Sequence, residues 1–149
     1  MATSNELLLN AAKIGDSAVL LKVIQDGADV DARNTRGWTS AMVAIYAGQA
    51  DCLSLLIKAG ADVDAKEASG WTTAMIAAYE GQADCLSLLI GAGADIEAKD
   101  LYRRTAAMWA AKGGHDDCVR IIDSEIERRA LLAECSKQTP LIPRSSLRV

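Results

Sequence analysis

The chain repeats itself every 33 residues, and no other feature constrains its fold as much. Trp38 recurs as Trp71, Gly48 as Gly81 and Gly114, and Cys52 as Cys85 and Cys118. The pair Gly27-Ala28 returns at Gly60-Ala61 and at Gly93-Ala94. Residues 37–69 and 70–102 are identical at 23 of 33 positions, so the two read as copies of one unit. A period of this length means stacked supersecondary units, each burying its apolar face only against its neighbours. The functional question therefore concerns the surface that runs along the stack.

Composition narrows the possibilities. A chain of 149 residues makes one domain at most, and with half its residues apolar it does not lack material for a core. A net charge of −4 argues against a nucleic-acid backbone as the main ligand, which calls for a basic stripe. No apolar run approaches the roughly 20 residues of a membrane span. Residues 1–10 lack the basic start and long apolar stretch of a secretory signal. The four cysteines contain no CxxC pair, and three hold equivalent places in successive repeats. Stacking would set those three about 10 Å apart, one helix-packing distance and too far for a disulfide. These features predict an intracellular, cytoplasmic protein in a reducing compartment.

One repeat, residues 37–69, can be read physically. Gly37 permits a tight turn. Thr39 is placed to cap a short Ala-rich helix, Ser40 to Ala47, which Gly48 ends. A second helix is predicted over Ala50 to Ala59, with Cys52, Leu53, Leu55, Leu56 and Ile57 as a broad apolar face. Gly60 stops it, and Ala61-Asp62-Val63-Asp64-Ala65 extends toward the next turn. Two- to three-turn helices are not stable alone in water, so the unit needs neighbours.

The pattern G-x-T-x-x-M-x-A-x-x-x-G-x-x-D-C-L-x-L-L-I-x-A-G-A-D-V resembles the ankyrin repeat. The resemblance runs from residue 4 to about 125 in four copies, at about 4–36, 37–69, 70–102 and 103–135. It implies an all-α solenoid of stacked helix-turn-helix units with β-turn fingers, occupying residues 1–137. The first copy keeps Ala11-Ala12, Gly15 and the Gly27-Ala28-Asp29 end, but has Ser4, Asn5 and Glu6 where the Gly and Thr should stand; it reads as an N-terminal cap. The fourth loses its closing Gly-Ala-Asp and continues as a charged cap helix to about Cys135. The family's T-P-L-H stands here as Thr39-Ser40-Ala41-Met42, Thr72-Thr73-Ala74-Met75 and Thr105-Ala106-Ala107-Met108. Met packs but offers no polar network, so the turns are expected to rely on packing. Residues 138–149 hold both prolines and no periodicity, and read as a flexible tail with a PxxP spacing at Pro140 and Pro143 and a Leu147-Arg-Val149 end.

No catalytic constellation stands out. His115 precedes Cys118 by three residues, but Cys118 merely repeats Cys52 and Cys85, which have Gln49 and Gln82 in the histidine's place; a nucleophile has no use for three copies and one base. His115, Asp116, Asp117 and Cys118 match no metal-ligand spacing, and no cofactor or metal is expected. The pairs Asp29/Asp31, Asp62/Asp64 and Asp95/Glu97 read as turn formers.

The aromatic residues are more informative. In ankyrin repeats the position of Trp38 and Trp71 projects from the finger toward a concave groove, and Tyr46 and Tyr79 match inner-helix positions on the same groove. Val43, Tyr46 and Ala47 share one helical face. Leu101, Tyr102, Arg104, Trp109 and Lys112 continue the line, and exposed Trp, Tyr and Arg are the residues enriched in binding hot spots. The expected partner-binding set is Arg36, Trp38, Tyr46, Trp71, Tyr79, Glu80, Tyr102, Arg104, Trp109 and Lys112. The competing reading makes the tryptophans a ladder that props finger on finger. The resemblance thus implies a non-enzymatic, monomeric scaffold that binds a protein partner through its groove, with no nucleic acid and no membrane. The alternative is a targeting module, or a piece of a larger signalling protein such as an ankyrin-containing kinase.

Overall fold

A computed structural model describes residues 3–137, which form eight helices in four stacked pairs. The inner row holds α1 (Ser4–Ile14), α3 (Ser40–Tyr46), α5 (Thr73–Tyr79) and α7 (Ala106–Lys112). The outer row holds α2 (Ser17–Gln25), α4 (Ala50–Lys58), α6 (Ala83–Gly91) and α8 (Asp116–Lys137). Each inner helix packs on the next inner helix and each outer helix on the next outer one. No sheet forms among the described residues; the fingers close on single antiparallel bridges, Arg33 with Thr39 and Lys66 with Thr72. The expected tail motifs at Pro140–Pro143 and Leu147–Val149 lie outside the described residues.

The short inner helices start where a threonine caps them. The hydroxyl oxygens of Thr39, Thr72 and Thr105 accept from the N–H of Met42, Met75 and Met108 at 3.3, 3.2 and 3.4 Å. The first repeat departs from this register. Its inner helix runs 11 residues against 7 in the others, because Thr3 caps it by accepting from Glu6 N–H at 3.2 Å. An extra helical turn thus replaces the missing finger, and the cap lies three residues upstream of its repeat position.

Repeats interlock through a glycine and the side chain before each outer helix. Gln49 lies over Gly15, Gln82 over Gly48 and His115 over Gly81. A methyl group on Gly81 would come within 2.5 Å of His115 Nδ1, and Gly81 also holds φ +70°, so both space and backbone exclude a larger residue there. His115 is therefore a packing piece in the row of Gln49 and Gln82.

The core is continuous. Leu8 and Leu20, Met42 and Ile45, Leu53 and Leu56, Met75 and Ile76, Leu86 and Leu89, and Ile122 are all fully buried. Met42 and Met75 fill the space between successive inner helices. Met108 is 54% exposed, because no fifth pair lies against it among the described residues.

The turns carry the expected local polar ties, and also ties between repeats that the expectation of turns held mainly by packing did not include. Asp29, Asp62 and Asp95 each accept from the N–H two residues on, as a turn former should. In addition, Asp31 Oδ1 accepts from Asp62 N–H at 2.9 Å and Asp64 Oδ1 from Asp95 N–H at 2.7 Å. Asn5 does the same for Asp29 at 3.1 Å. The acidic pairs therefore tie each repeat to the next. Met75 itself accepts from Thr72 N–H through its sulfur at 3.5 Å.

At the far end, α8 is 22 residues long where α4 and α6 have 9. The buried Glu125 carboxylate accepts from Arg128 at 2.7 and 2.8 Å and from Arg129 at 2.8 Å. Arg129 Nη1 donates to Ala94 O at 2.8 Å, which pins the long helix to the loop after α6. The Arg128 and Arg129 hydrogen bonds hold the Glu125 carboxyl down at about 2.

Candidate functional site

Three fingers stand along one side of the inner row, at residues 33–38, 66–71 and 99–104. Each is built the same way from a different side chain. Asn34 Oδ1 accepts from the N–H of Arg36 and Trp38 at 2.9 and 3.0 Å. Glu67 Oε1 accepts from Ser69 and Trp71 at 2.7 and 3.0 Å. Asp100 Oδ1 accepts from Tyr102 and Arg104 at 2.8 and 2.9 Å. The finger tip then turns through a left-handed residue: Gly37 at φ +80°, Gly70 at +81°, and in the third finger Arg103 at +60°. Among the described residues Arg103 is the one non-glycine with positive φ.

The aromatic line forms as a line, but not as an exposed one throughout. Trp38 meets Tyr46 edge-on at 5.5 Å and Trp71 meets Tyr79 at 5.5 Å. Trp109 lies 4.3 Å from Trp71 and 5.6 Å from Tyr79, and its indole N–H donates to Asp100 Oδ2 at 3.0 Å. Trp109 is only 7% exposed, so its expected place among exposed contact residues is corrected: it braces the third finger from beneath. Trp38 and Trp71 are half-buried and pack on the core. Tyr46, Tyr79 and Tyr102 remain exposed at 57, 37 and 74%. Arg36 and Lys112 are exposed, and Glu80 is half-buried where α5 ends.

Where repeats two and three place Trp and Tyr, the fourth places Arg104 and Lys112. Their charges lie 5.0 and 5.1 Å from the Trp109 ring centre, a cation on either side of the sequence position that Val43 and Ile76 hold in the earlier repeats. Arg104 also reaches the Tyr102 ring at 5.5 Å. Burial pushes the Asp100 carboxyl up, but the N–H donors of Arg104 and Tyr102, the Trp109 indole and the Arg104 charge outweigh it and hold it below its ordinary value.

At the other end a cavity of about 670 Å³ opens, lined by Lys13, Asn34, Arg36, Trp38, Val43, Tyr46 and Ala47. Lys13 is missing from the sequence-derived set. Its signal was available, since positions 13, 46, 79 and 112 stand 33 residues apart and hold Lys, Tyr, Tyr and Lys.

The thiols offer no nucleophile at this surface. Cys52, Cys85 and Cys118 are at most 1% exposed, on the outer helices. Burial pushes Cys52 up, and burial first, then Asp84 and Asp117 respectively, push Cys85 and Cys118 up to about 11. Cys135 is exposed. Among the described residues no three His, Cys, Asp or Glu side chains converge as a metal site would need, and no helix is long and apolar enough to cross a membrane.

A family model described as Ankyrin repeats, in three copies, matches residues 8–100, more than half of the chain. No protein with a curated description matches it. The fourth helix pair lies beyond the matched span and joins the array through the packing of α7 on α5 and of α8 on α6.

Proposed function

The chain belongs to the ankyrin repeat family, and we propose that it acts without catalysis, holding a partner protein in the groove between its fingers and its inner helices. Ankyrin repeats are generally protein–protein interaction modules. The observation that carries the reading is the exposure of Tyr46 and Tyr79 at one register of the inner helices and of Tyr102 on the third finger, on a rigid, periodic frame that also opens a cavity lined by Trp38 and Arg36. Rigid aromatic side chains lose little conformational entropy on contact, and Tyr, Trp and Arg dominate interface energetics. The contact set is Arg36, Tyr46, Tyr79, Glu80, Tyr102, Arg104 and Lys112 at the surface, with Trp38 and Trp71 presenting one edge and Trp109 holding the frame.

The test compares the full chain with its Tyr79→Ala, Tyr102→Ala double variant. Partners captured from native extract by the first should be lost or weakened with the second, by about 1–4 kcal/mol in total when affinity is measured by calorimetry. Unchanged affinity in a variant with an intact circular dichroism spectrum moves the site off the groove.

A further inference from the structure

The fingers carry a charge opposite to the rest of the molecule. Residues 33–38, 66–71 and 99–104 hold six cations and two carboxylates, a surplus of four positive charges in a chain of net −4. Both carboxylates are already committed, Glu67 and Asp100 to the backbone N–H groups of their own turns. Two cations are committed as well: Arg33 Nη1 donates to Gly37 O and Lys66 O at 2.7 and 2.8 Å, a strut between the first two fingers, and Arg104 lies against the Tyr102 and Trp109 rings. Arg36, Lys66, Lys99 and Arg103 are exposed. The ion pairs among the described residues are those of Glu125 with Arg128 and Arg129, far along α8, so no finger cation is paired there. Lys13 and Lys112 add two more cations at the inner-helix positions facing the groove, against one carboxylate there, Glu80 at the end of α5.

Arg103 adds a separate observation. It holds φ +60° at the tip position where the other fingers have glycine. The left-handed conformation is strained for an L residue, so the third finger carries a cation at a position where glycine would sit without strain.

We propose that the groove takes an extended acidic segment of a partner protein, with carboxylates spaced to meet successive fingers. This rests on the groove reading above and specifies its occupant. The spacing follows from two lengths. Stacked helices lie about 8–10 Å apart, and an extended chain in the polyproline II form advances about 3.1 Å per residue with about three residues per turn. Matching carboxylates therefore fall about three residues apart and share one face of the segment. The tyrosines between the cations receive the intervening apolar side chains.

The experiment titrates the full chain by calorimetry with peptides of about ten residues, long enough to span three fingers. One carries glutamate at every third position, one glutamine in those places, one lysine, and one the same glutamates bunched together. The spaced glutamate peptide should bind at least about tenfold more tightly than the glutamine peptide, which is about 1.4 kcal/mol, and its affinity should fall as salt rises. Arg36→Glu with Arg103→Glu should abolish that preference, whereas Lys22→Glu with Lys58→Glu, both exposed on outer helices, should not. Arg103→Gly, which relieves the backbone, guards against misreading a folding defect as a binding one; it too should weaken the glutamate peptide. Equal binding of the glutamine or lysine peptide, no binding of any peptide, or indifference to the Arg36 and Arg103 reversals overturns the proposal. So does a single-stranded oligonucleotide that binds more tightly than the spaced peptide, since the cations would then read phosphate. Equal binding of the bunched peptide overturns the register. Where a glutamine or lysine peptide binds and is lost in the Tyr79→Ala, Tyr102→Ala variant, the groove reading stands and only the acidic occupant falls. Peptide binding indifferent to both groove variants sinks both.

Discussion

The two ends of the groove use the same 33-residue plan and reach opposite results. Around the first finger, Trp38 has one aromatic neighbour, Tyr46, and a cavity of about 670 Å³ reaches to Lys13 and Arg36. Around the third, Trp109 fills the space under the finger, met by Trp71 at a tilt and by Tyr79 edge-on, flanked by Arg104 and Lys112, and tied to Asp100. One end is open; the other is packed, with its indole N–H bonded to Asp100. The lesson is that repetition conserves the frame while single residues at fixed register decide whether a site is a pocket or a brace. Val43 and Trp109 stand at the same register position, and the difference in their volume is a large part of the difference between the ends.

This comparison can be broken by stability measurements. The largest effect is expected for Trp109→Ala, which removes a buried ring and strands Asp100: a loss of about 3–5 kcal/mol in urea unfolding, against a clearly smaller loss for the half-buried Trp38→Ala. Equal losses would show that the two ends are equally packed. Next, Met75→Ala should cost about 2–5 kcal/mol, while Met108→Ala, on the exposed end of the stack, should stay within about 0.5 kcal/mol. A large Met108 effect would mean that something covers that face in solution. Arg103→Gly should raise stability by about 1 kcal/mol, since glycine accepts the left-handed tip without strain. A fall in the thermal midpoint would show that Arg103 is held there by contacts worth more than its strain.

The smallest effect at neutral pH is expected at Glu125, whose partner Arg128 is largely exposed and screened by water. Its folded pKa of about 2 lies below the ordinary 4.5. The pair therefore contributes stability that is fully present above about 4.5 and is lost as pH falls toward 2. Glu125→Gln should remove that part of the acid dependence and leave the remainder. An unaltered acid transition would place the linkage on other carboxylates, Asp100 first among them.

The repeats, the Thr caps, the glycine stops and the buried row of cysteines were legible because each depends on residues close in sequence and recurs with the period. The extra turn of α1 was not, since Thr3 lies three residues before its repeat register and only the free helix end shows that it caps. The second role of Asp31 and Asp64 was hidden for a different reason: the N–H each accepts from lies 31 residues on, in the next repeat. Trp109 looked like a surface aromatic because it is a tryptophan in line with exposed tyrosines. Its burial depends on Trp71, Tyr79 and Asp100, brought together by the stack.

What the sequence determined alone is the unit: two short helices and a finger, copied at 33 residues, unable to stand without neighbours because each helix is too short to hold itself. What only the tertiary structure decided is which copies of the same position are sealed and which are open. Met75 is buried and Met108 exposed, and Val43 is half-buried where Ile76 and Trp109 are covered, because burial belongs to the space between repeats and depends on what the adjacent repeat places there.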